Sequence, residues 1–386
     1  MIEKTNIPQG YKDSPLGIIP EEWEVKRLGD LCLDIYSGRN KTRIDSGTYP
    51  VYGSTGIIGK TNEYQYEGEK ILVARVGAHA GQVCLASGKY DVSDNTIIVE
   101  NKDYYSLYFA YQQLIAANLN KMVFGSGQPL ITAGMLKRMF VIYPPYEEQE
   151  LINSVLKLWD TAIEKQSELI ENFKLRKRAL MQQLLTGKKR LPGFSGEWKE
   201  VKLGDVFDER NETNRDDLPL LSITGDKGVI YQSDSDKRDI SNDDKSKYKR
   251  ICPNDIGYNT MRMWQGRSAL SGLEGIVSPA YTIVTPRESI NVKFMAMLIQ
   301  QPRVVYDFWT HSQGLVSDTL NCKYPDFCQV KVRIPTKEEQ TAIASVLVKA
   351  DNEIELAKDK LASLQSQKRG LMQQLLTGKK RIKNIE

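Results

Sequence analysis

The chain has 386 residues, of which 40% are hydrophobic and 26% are charged. These values are typical of globular proteins and exclude a wholly disordered chain. The length is sufficient for two domains of ordinary size, each with its own hydrophobic core. The net charge of +4 is only mildly basic, and it does not by itself indicate a protein that binds nucleic acid.

The five cysteines form no Cys-x-x-Cys pair, and the chain has only two histidines. No zinc site can be assembled from them at familiar spacings, so we expect reduced thiols and no bound metal. The polar beginning of the sequence does not resemble a signal peptide, and no run of about 18 apolar residues predicts a membrane span. We therefore expect a cytoplasmic protein that makes no contact with a membrane.

The first predicted element in chain order is a domain over residues 1–143. Short β-rich runs between glycine turns, such as Ile71–Ala74 and Thr96–Val99, indicate strands, and a helical stretch follows near Leu107–Leu119. Residues 54–61 nearly match a phosphate-binding loop, but serine stands where the motif requires glycine. We expect a domain of mixed α and β structure that binds no nucleotide.

The second predicted element is a long helix within residues 144–190. Prolines precede it, acidic residues fill its first turn, and Gly187 stands where a helix commonly ends. From Ile152 to Leu184 a heptad pattern has eight of ten positions apolar. About 38 helical residues would extend roughly 57 Å. Such an apolar seam needs a partner to bury it.

A second domain is predicted over residues 191–333. It has similar β-rich runs between residues 218 and 285, and a helical stretch near Val292–Ile299. The segment Asn259–Arg267 interleaves asparagine, glutamine and arginine with apolar methionine and tryptophan. The polar side chains of this segment can read base edges, and the apolar ones can act as wedges.

The last predicted element, residues 334–386, repeats the first helix. The 44 residues from Glu147 recur without a gap from Glu338 with 23 identities, and both copies end in the string LMQQLLTGKKR. Nine of ten positions of the second heptad seam are apolar. A further repeated string, Trp…Leu-Gly-Asp, begins at Trp23 and again at Trp198. The order of elements is therefore domain, helix, domain, helix.

The connections between these elements predict how the helices run. The first helix leads from domain one to domain two, and the second begins at domain two, so it must run back to lie along the first. We predict an α/β (α+β) fold with two domains separated by two long antiparallel coiled-coil helices and a pseudo-twofold internal repeat. Apolar residues off the seam, such as Leu158 and Leu175, leave open whether they pack on the chain's own domains or on a partner helix.

Two basic tracts accompany the helices. Residues 174–190 contain seven Lys or Arg and no acidic residue, and residues 368–383 contain six and no acidic residue. Two explanations fit these tracts. They can complement the helix dipole, or they can contact DNA phosphates or an acidic partner.

Motifs for catalysis are incomplete in this sequence. Tyr143–Tyr146 resembles the Asn/Asp-Pro-Pro-Tyr motif of amino-methyltransferases, but the leading polar residue is missing. No glycine-rich fingerprint for a nucleotide or adenosyl cofactor is present. His79 and His311 lie in different domains with no convincing Ser or Cys partner for a hydrolytic triad. We expect a non-catalytic chain that holds no cofactor.

The remaining polar clusters are candidates for DNA contact, because Arg, Asn and Gln can form bidentate hydrogen bonds with bases. We expect the DNA-binding residues to come from both domains. The candidates are Lys60, Arg75, His79, Gln128, Asn259, Arg262, Gln265, Arg267, Tyr281 and Gln313.

Nearly the whole sequence resembles the specificity subunits of type I restriction–modification systems. The resemblance is carried by the repeated helix strings, the string LMQQLLTGKKR and the Trp…Leu-Gly-Asp segments. It is also carried by Gly127–Thr132 and Val277–Tyr281, which are similar to strings that recur in target-recognition domains. Together these strings make the match specific.

This resemblance implies target-recognition domains over residues 1–143 and 191–333, each reading one half of a bipartite, asymmetric site in double-stranded DNA. It also implies that helices within 144–190 and 334–386 set the spacer between the half-sites and dock two methylase subunits, which bring S-adenosylmethionine. Whether a restriction subunit joins them is left open.

Two alternatives come from other classes of protein. A self-sufficient DNA methyltransferase with a fused reader would need the cofactor and catalytic motifs that are missing. A non-enzymatic coiled-coil adaptor would not discriminate between DNA sequences.

Overall fold

The computed structural model describes residues 7–382 except 42, 45, 123–128, 226, 236–243 and 315–318. The chain divides into two units. Unit 1 comprises Met1–Ser167 together with Asp359–Glu386, and unit 2 comprises Glu168–Lys358. Each unit therefore contains one part of each long helix.

Unit 1 combines short strands and short helices with its parts of the long helices. Its strands are β1 (Tyr11–Lys12), β2 (Ile19–Pro20), β3 (Glu24–Arg27), β4 (Cys32–Ser37), β5 (Tyr49–Gly53), β6 (Gly56–Thr61), β7 (Tyr66–Glu67), β8 (Lys70–Ala74), β9 (Val83–Ala86), β10 (Lys89–Val92), β11 (Thr96–Asn101) and β12 (Phe140–Tyr143). Its helices are α1 (Leu28–Leu31), α2 (Leu107–Ala116), α3 (Ala133–Arg138) and the first part of α4 (Tyr146–Leu184).

Two four-stranded sheets form the centre of unit 1. The sheet β4-β11-β8-β9 is antiparallel throughout, and the sheet β6-β5-β10-β7 contains a parallel pair between β5 and β10. Most residues of β8 and β11 are buried. This explains why their sequences are continuous apolar runs rather than alternating ones.

Unit 2 repeats part of this plan. Its strands are β13 (Lys199–Lys202), β14 (Phe207–Arg210), β15 (Leu221–Ile223), β16 (Val229–Tyr231), β17 (Lys249–Ile251), β18 (Ile256–Asn259), β19 (Ser268–Leu270), β20 (Gly275–Val277), β21 (Tyr281–Pro286) and β22 (Lys331–Ile334). Its helices are α5 (Val292–Leu298), α6 (Pro302–His311), α7 (Tyr324–Gln329) and the first part of α8 (Lys337–Leu375). The antiparallel sheet β14-β21-β18-β19 has the same strand order as β4-β11-β8-β9 of unit 1.

The two long helices confirm the prediction from the repeat. Both α4 and α8 have 39 residues, against about 38 expected. Each ends before a glycine in the left-handed region, Gly187 with φ +70° and Gly378 with φ +71°, as a helix C-terminus commonly does. Every predicted seam position is buried or half-buried, whereas Leu158 and Leu356, which lie off the seam, are about 70% exposed.

Ion pairs show the direction in which the repeated segments run within each unit. As residue numbers rise along the first segment, those of its partners in the second fall, so the segments are antiparallel. The pairs are Glu148–Arg381 and Asp160–Lys368 in unit 1, and Lys177–Asp351 and Arg190–Glu339 in unit 2. The predicted α/β (α+β) class, the internal repeat and the long antiparallel helices are confirmed.

The ends of the helices complete the core of each unit. In unit 1, Leu156 and Leu375 pack in one cluster with Trp23, Leu28 and Phe109. The equivalent cluster of unit 2 combines Leu184, Leu203, Phe207, Phe294 and Ile343. The Trp…Leu-Gly-Asp strings recur because they supply apolar residues that pack against the helix ends in both units.

Candidate nucleic-acid interface

Two loops occupy equivalent places in the two units. Residues 75–82 join β8 to β9, and residues 260–267 join β18 to β19, so each loop has eight residues. In both, the residue before the loop donates its backbone N–H to the carbonyl of the last loop residue: Ala74 to Gln82 at 2.8 Å, and Asn259 to Arg267 at 3.1 Å. Despite different sequences, the two units therefore present the same backbone feature.

The loop of unit 1 contains two of the predicted DNA-binding residues. Arg75 is half-buried, and its Nη1 atom donates to the backbone carbonyl of Asp94 at 3.3 Å. His79 is exposed. Val76 pairs with Leu130 in an isolated β-bridge, which ties the loop to the segment that follows residues 123–128.

The loop of unit 2 is held by its apolar residues. Met263 is fully buried in the core of unit 2 and begins a short 3-10 helix that ends at Gln265. Trp264 donates its indole N–H to the carbonyl of Met261 at 3.0 Å. With these residues anchoring the loop, the side chains of Arg262, Gln265 and Arg267 remain exposed. Met263 and Trp264 thus serve the loop's own structure, whereas the Met261 side chain is exposed.

The exposed polar residues of this loop line a cavity of about 970 Å³ in unit 2. Five predicted residues contribute to its wall: Asn259, Arg262, Gln265, Arg267 and Tyr281. The described residues that line it include three cations, contributed by arginine and lysine, and no acidic side chain. A positively charged cavity with convergent amide and guanidinium groups suits a ligand rich in hydrogen-bond acceptors.

The cavity wall also includes residues that the sequence did not single out. Lys227 lies in the turn between β15 and β16, and Gln300 lies just beyond α5, where its Nε2 atom donates to the carbonyl of Ser268 at 2.9 Å. Each of these two residues is 33 positions in sequence from the nearer end of the loop. Tertiary packing of the β15–β16 turn and of the end of α5 brings them beside it, so no local motif indicates them.

Burial shapes the strand that leads into the cavity. The side chain of Tyr258, next to Asn259 in β18, is fully buried and stacks on Phe327 with ring centroids 5.2 Å apart. Burial raises the pKa of Tyr258 well above its ordinary value, so this phenol stays protonated. The Oδ1 atom of Asn259 accepts from the backbone N–H of Met261 at 3.0 Å, which fixes the asparagine at the beginning of the loop.

Three other predicted residues lie away from these loops or outside the described residues. Lys60 is an exposed residue of β6, in the other four-stranded sheet of unit 1. Gln313 donates from Nε2 to Asp326 Oδ1 at 3.0 Å and pairs with Asn321 in an isolated bridge; it is not among the residues that line the cavity. Gln128 lies outside the described residues.

A second cleft of unit 2, of about 920 Å³, is also basic. Its lining includes Glu200 and Asp307, but cations outnumber these acids. The cations are Lys188, Lys202, Arg303, Lys331 and Arg333. Lys188 belongs to the repeated string LMQQLLTGKKR, so this cleft brings one basic tract of the helices beside cations of the sheet β13–β22.

Other kinds of site find little support in the described part of the chain. It contains no group of three or more His, Cys, Asp or Glu side chains that could hold a metal ion. Burial raises the pKa of the Cys32 and Cys322 thiols to about 12, so both stay protonated and unreactive near neutral pH. Among the described helices, none combines the length and the apolar character that crossing a membrane requires.

Comparison with protein families identifies the type of protein. The family model of the type I restriction modification DNA specificity domain matches residues 20–172 and again residues 195–366. The chain belongs to this family. It is a type I specificity subunit with two DNA-specificity domains, and it is a non-catalytic subunit.

Relatives and solved structures agree with the assignment to the specificity-subunit family. The chain is 26% identical over 411 residues to the type I restriction enzyme MjaVIII specificity subunit of Methanocaldococcus jannaschii, with 95% of each chain covered. Its fold is similar to that of the S subunit of a type I restriction–modification system from M. genitalium (TM-score 0.57, 16% identity, 92% of this chain and 96% of that chain covered). A chain from a structural study of complex assembly in a type I system gives a TM-score of 0.58 at 15% identity, covering 93% and 99% of the two chains.

Proposed function

We propose that this specificity subunit reads a bipartite, asymmetric site in double-stranded DNA, one half-site with each unit. The readers would be the target-recognition domains over residues 1–143 and 191–333, and the reading surfaces would include loops 75–82 and 260–267. The observation that carries this proposal is the cavity of unit 2, where five candidate base-reading residues converge without an acidic side chain among the described lining.

The chemistry of these side chains matches the edges of bases in the major groove. Arginine forms bidentate hydrogen bonds with O6 and N7 of guanine, and asparagine or glutamine does so with N6 and N7 of adenine. Contacts with phosphates position the protein without selecting a sequence. The cations of the second cleft, among them Lys188, suit that role. Unit 2 thus offers separate groups for selecting bases and for general attraction to DNA.

We also propose a role for the helices within residues 144–190 and 334–386. They would set the spacer between the half-sites and dock two methylase subunits, which bring S-adenosylmethionine; a restriction subunit could join this complex. A partner helix would pack on the exposed leucines of these helices that lie outside the buried seam, Leu158, Leu175 and Leu356. The complex would act in the cytoplasm, where it meets DNA.

The test is to map methylated adenines in cells that contain this chain and its methylase subunits. We expect two specific half-sites of different sequence with an unread spacer between them. A variant of this chain carries two insertions of seven residues, one after Ser167 and one after Lys358. These two positions are equivalent in the repeat. One heptad keeps the seam in register and adds about 10 Å of helix. The spacer should then grow by about three base pairs, at 3.4 Å per pair.

The control inserts the seven residues after Ser167 alone, which shifts Lys177 and Arg190 away from the positions of their acidic partners. This variant should lose modification of the site. A single continuous recognition sequence in the unaltered chain would contradict the assignment of two readers. An unchanged spacer with the double insertion would contradict the role of the helices while leaving the two readers intact.

A further inference from the structure

Gly225 lies in the turn between β15 and β16 and lines the cavity of unit 2. The guanidinium of Arg267 lies against this glycine. Its Nη1 atom occupies the space that a β-carbon at residue 225 would need, and its Cζ atom lies 3.4 Å from that position. Apart from residue 225 and its two chain neighbours, no other described residue has an atom within 4 Å of it. A side chain at residue 225 would therefore displace the end of Arg267 and no other described group.

The backbone of the turn does not itself require glycine at residue 225. The φ angle of Gly225 lies outside the left-handed region, whereas that of Gly228 is +70°. Thr224 closes the turn, because its backbone N–H and its hydroxyl both donate to the carbonyl oxygen of Gly228, at 2.8 and 3.0 Å. Alanine at residue 225 is thus compatible with this turn. The missing side chain serves to leave room for Arg267.

We propose that Gly225 is a positioning residue that holds Arg267 against the cavity wall for reading a guanine in the second half-site. This inference rests on the proposed function of unit 2 as a DNA reader. Guanine is the expected base because its O6 and N7 atoms match the two parallel N–H donors of an arginine fork. Gly225 acts only through Arg267 and makes no contact with the base itself.

The position of the guanidinium can change without disturbing the fold. Nη1 is at the far end of a flexible side chain, and the Arg267 side chain is exposed, so a methyl group at residue 225 can push it aside at little cost to stability. A bidentate contact depends on the direction of both N–H groups, so the displaced arginine loses its discrimination between bases. A contact of this kind contributes roughly a 5- to 150-fold preference for the correct base.

The experiment uses the full chain in complex with its methylase subunits, after methylation mapping of the unaltered complex has identified both half-sites. DNA competition assays then compare the mapped site with sites in which each guanine of the second half-site is replaced. The variants are Gly225→Ala, Arg267→Ala and the double variant. Gly272→Ala is the matched control, because Gly272 is exposed and has no left-handed φ, and because no described residue other than its chain neighbours comes within 4 Å of the place that a β-carbon would take.

We expect Gly225→Ala and Arg267→Ala each to lower the preference for the same guanine by about 5-fold or more. The double variant should be no worse than Arg267→Ala, because the two residues act through one contact. Discrimination at the first half-site and the thermal unfolding of Gly225→Ala should match those of Gly272→Ala.

Each contrary result has a distinct meaning. If Arg267→Ala lowers the preference and Gly225→Ala does not, the positioning role is wrong and the reader assignment stands. The positioning role is equally wrong if the two effects add, or if Gly225→Ala unfolds. If neither variant changes any preference, Arg267 does not read the site. If the unaltered complex shows no sequence preference at all, the proposed function fails, and this inference fails with it.

Discussion

The two copies of the long helix are similar in sequence, whereas the loops of the two readers are not. In the repeated segments, Asp160–Lys368 of unit 1 and Asp351–Lys177 of unit 2 form the same ion pair, each at 2.5 Å. Loops 75–82 and 260–267 keep a common length and backbone hydrogen bond but share almost no chemistry. Packing of one helix on another imposes the same requirement twice. A loop that meets a different partner in each unit is free to diverge once its backbone is anchored.

Even the repeated segments differ at one buried carboxylate. In unit 1, Glu148 accepts from the indole N–H of Trp23 at 2.6 Å and also pairs with Arg381. In unit 2, Arg190 donates to both carboxylate oxygens of the equivalent Glu339, at 2.5 and 2.6 Å. The indole N–H of Trp198 is buried and has no hydrogen-bond partner among the described residues. Identical residues thus form two different hydrogen-bond networks in the two units.

The most drastic way to test the equivalence of the helices is to remove one. A fragment of residues 1–190 retains one reader and one long segment. In an antiparallel pair of two copies, Lys177 of one copy can pair with Asp160 of the other, just as Lys368 does in the full chain. We expect a symmetric dimer, since the interface closes at two chains. With its methylase subunits, it should modify a palindrome built from the first half-site.

Sedimentation of the fragment and methylation mapping check this prediction. The full chain is the control and should sediment without self-association. A folded monomer, or a motif that is not palindromic, would show that α8 supplies something to unit 1 that α4 cannot replace.

A smaller effect is expected from truncating equivalent leucines at the ends of the helices. Leu375 packs in the core of unit 1 and Leu184 in the core of unit 2, each 2% exposed. Leu375→Ala should destabilise unit 1, and Leu184→Ala should destabilise unit 2, each by about 2–5 kcal/mol from lost burial and the cavity left behind. Hydrogen exchange of β8 and β18 should locate each effect. Leu356→Ala, at an exposed position, should change stability by less than about 0.5 kcal/mol.

Equal loss of amide protection in both units after either core substitution would overturn this prediction. The two units would then unfold as one cooperative body, and the leucines would not report on separate cores.

The smallest effect separates a reader residue from a scaffold residue. Arg262→Ala should reduce discrimination at the second half-site by about 1–3 kcal/mol and leave the first half-site unchanged. Lys188→Ala should instead weaken binding to all sequences and flatten the dependence on salt, because a phosphate contact is lost. Competition assays with specific and random DNA at several salt concentrations distinguish the two. The same loss on both kinds of DNA for both variants would show that Arg262 does not select bases.

The elements that the sequence predicted well depend on local patterns. The heptad seam and the flanking proline and glycine residues located α4 and α8, and apolar runs located strands such as β8 and β21. Helix α6 was not predicted. Its buried residues Val304 and Phe308 lie four positions apart on one face, but the exposed aromatic residues Tyr306 and Trp309 interrupt that pattern in the sequence. Local reasoning works where one pattern determines both the element and its burial.

Most of the predicted residues that line the cavity of unit 2 are close together in the sequence, and Tyr281 is the exception. Arg262, Gln265 and Arg267 occur in one short segment, and their composition indicated recognition of bases. Gly225, in the turn between two strands, and Gln300, just beyond α5, reach the cavity over long sequence separations, so their part depends on tertiary structure. The predicted Gln313 is exposed and donates to Asp326, away from the cavity, so its part in reading DNA stays a prediction.

The make-up of the two cores has a consequence for the order in which the protein is completed during synthesis. The core of unit 2 draws on residues between Leu184 and Leu347, whereas that of unit 1 combines Ile19 and Trp23 with Met372 and Leu376. A ribosome makes Met372 and Leu376 only after every core residue of unit 2. Unit 1 is therefore translated first, but its core is completed last. Until Met372 and Leu376 are made, the apolar residues around Trp23 lack the helix end that packs against them. A nascent chain at this stage would expose apolar surface that chaperones recognise.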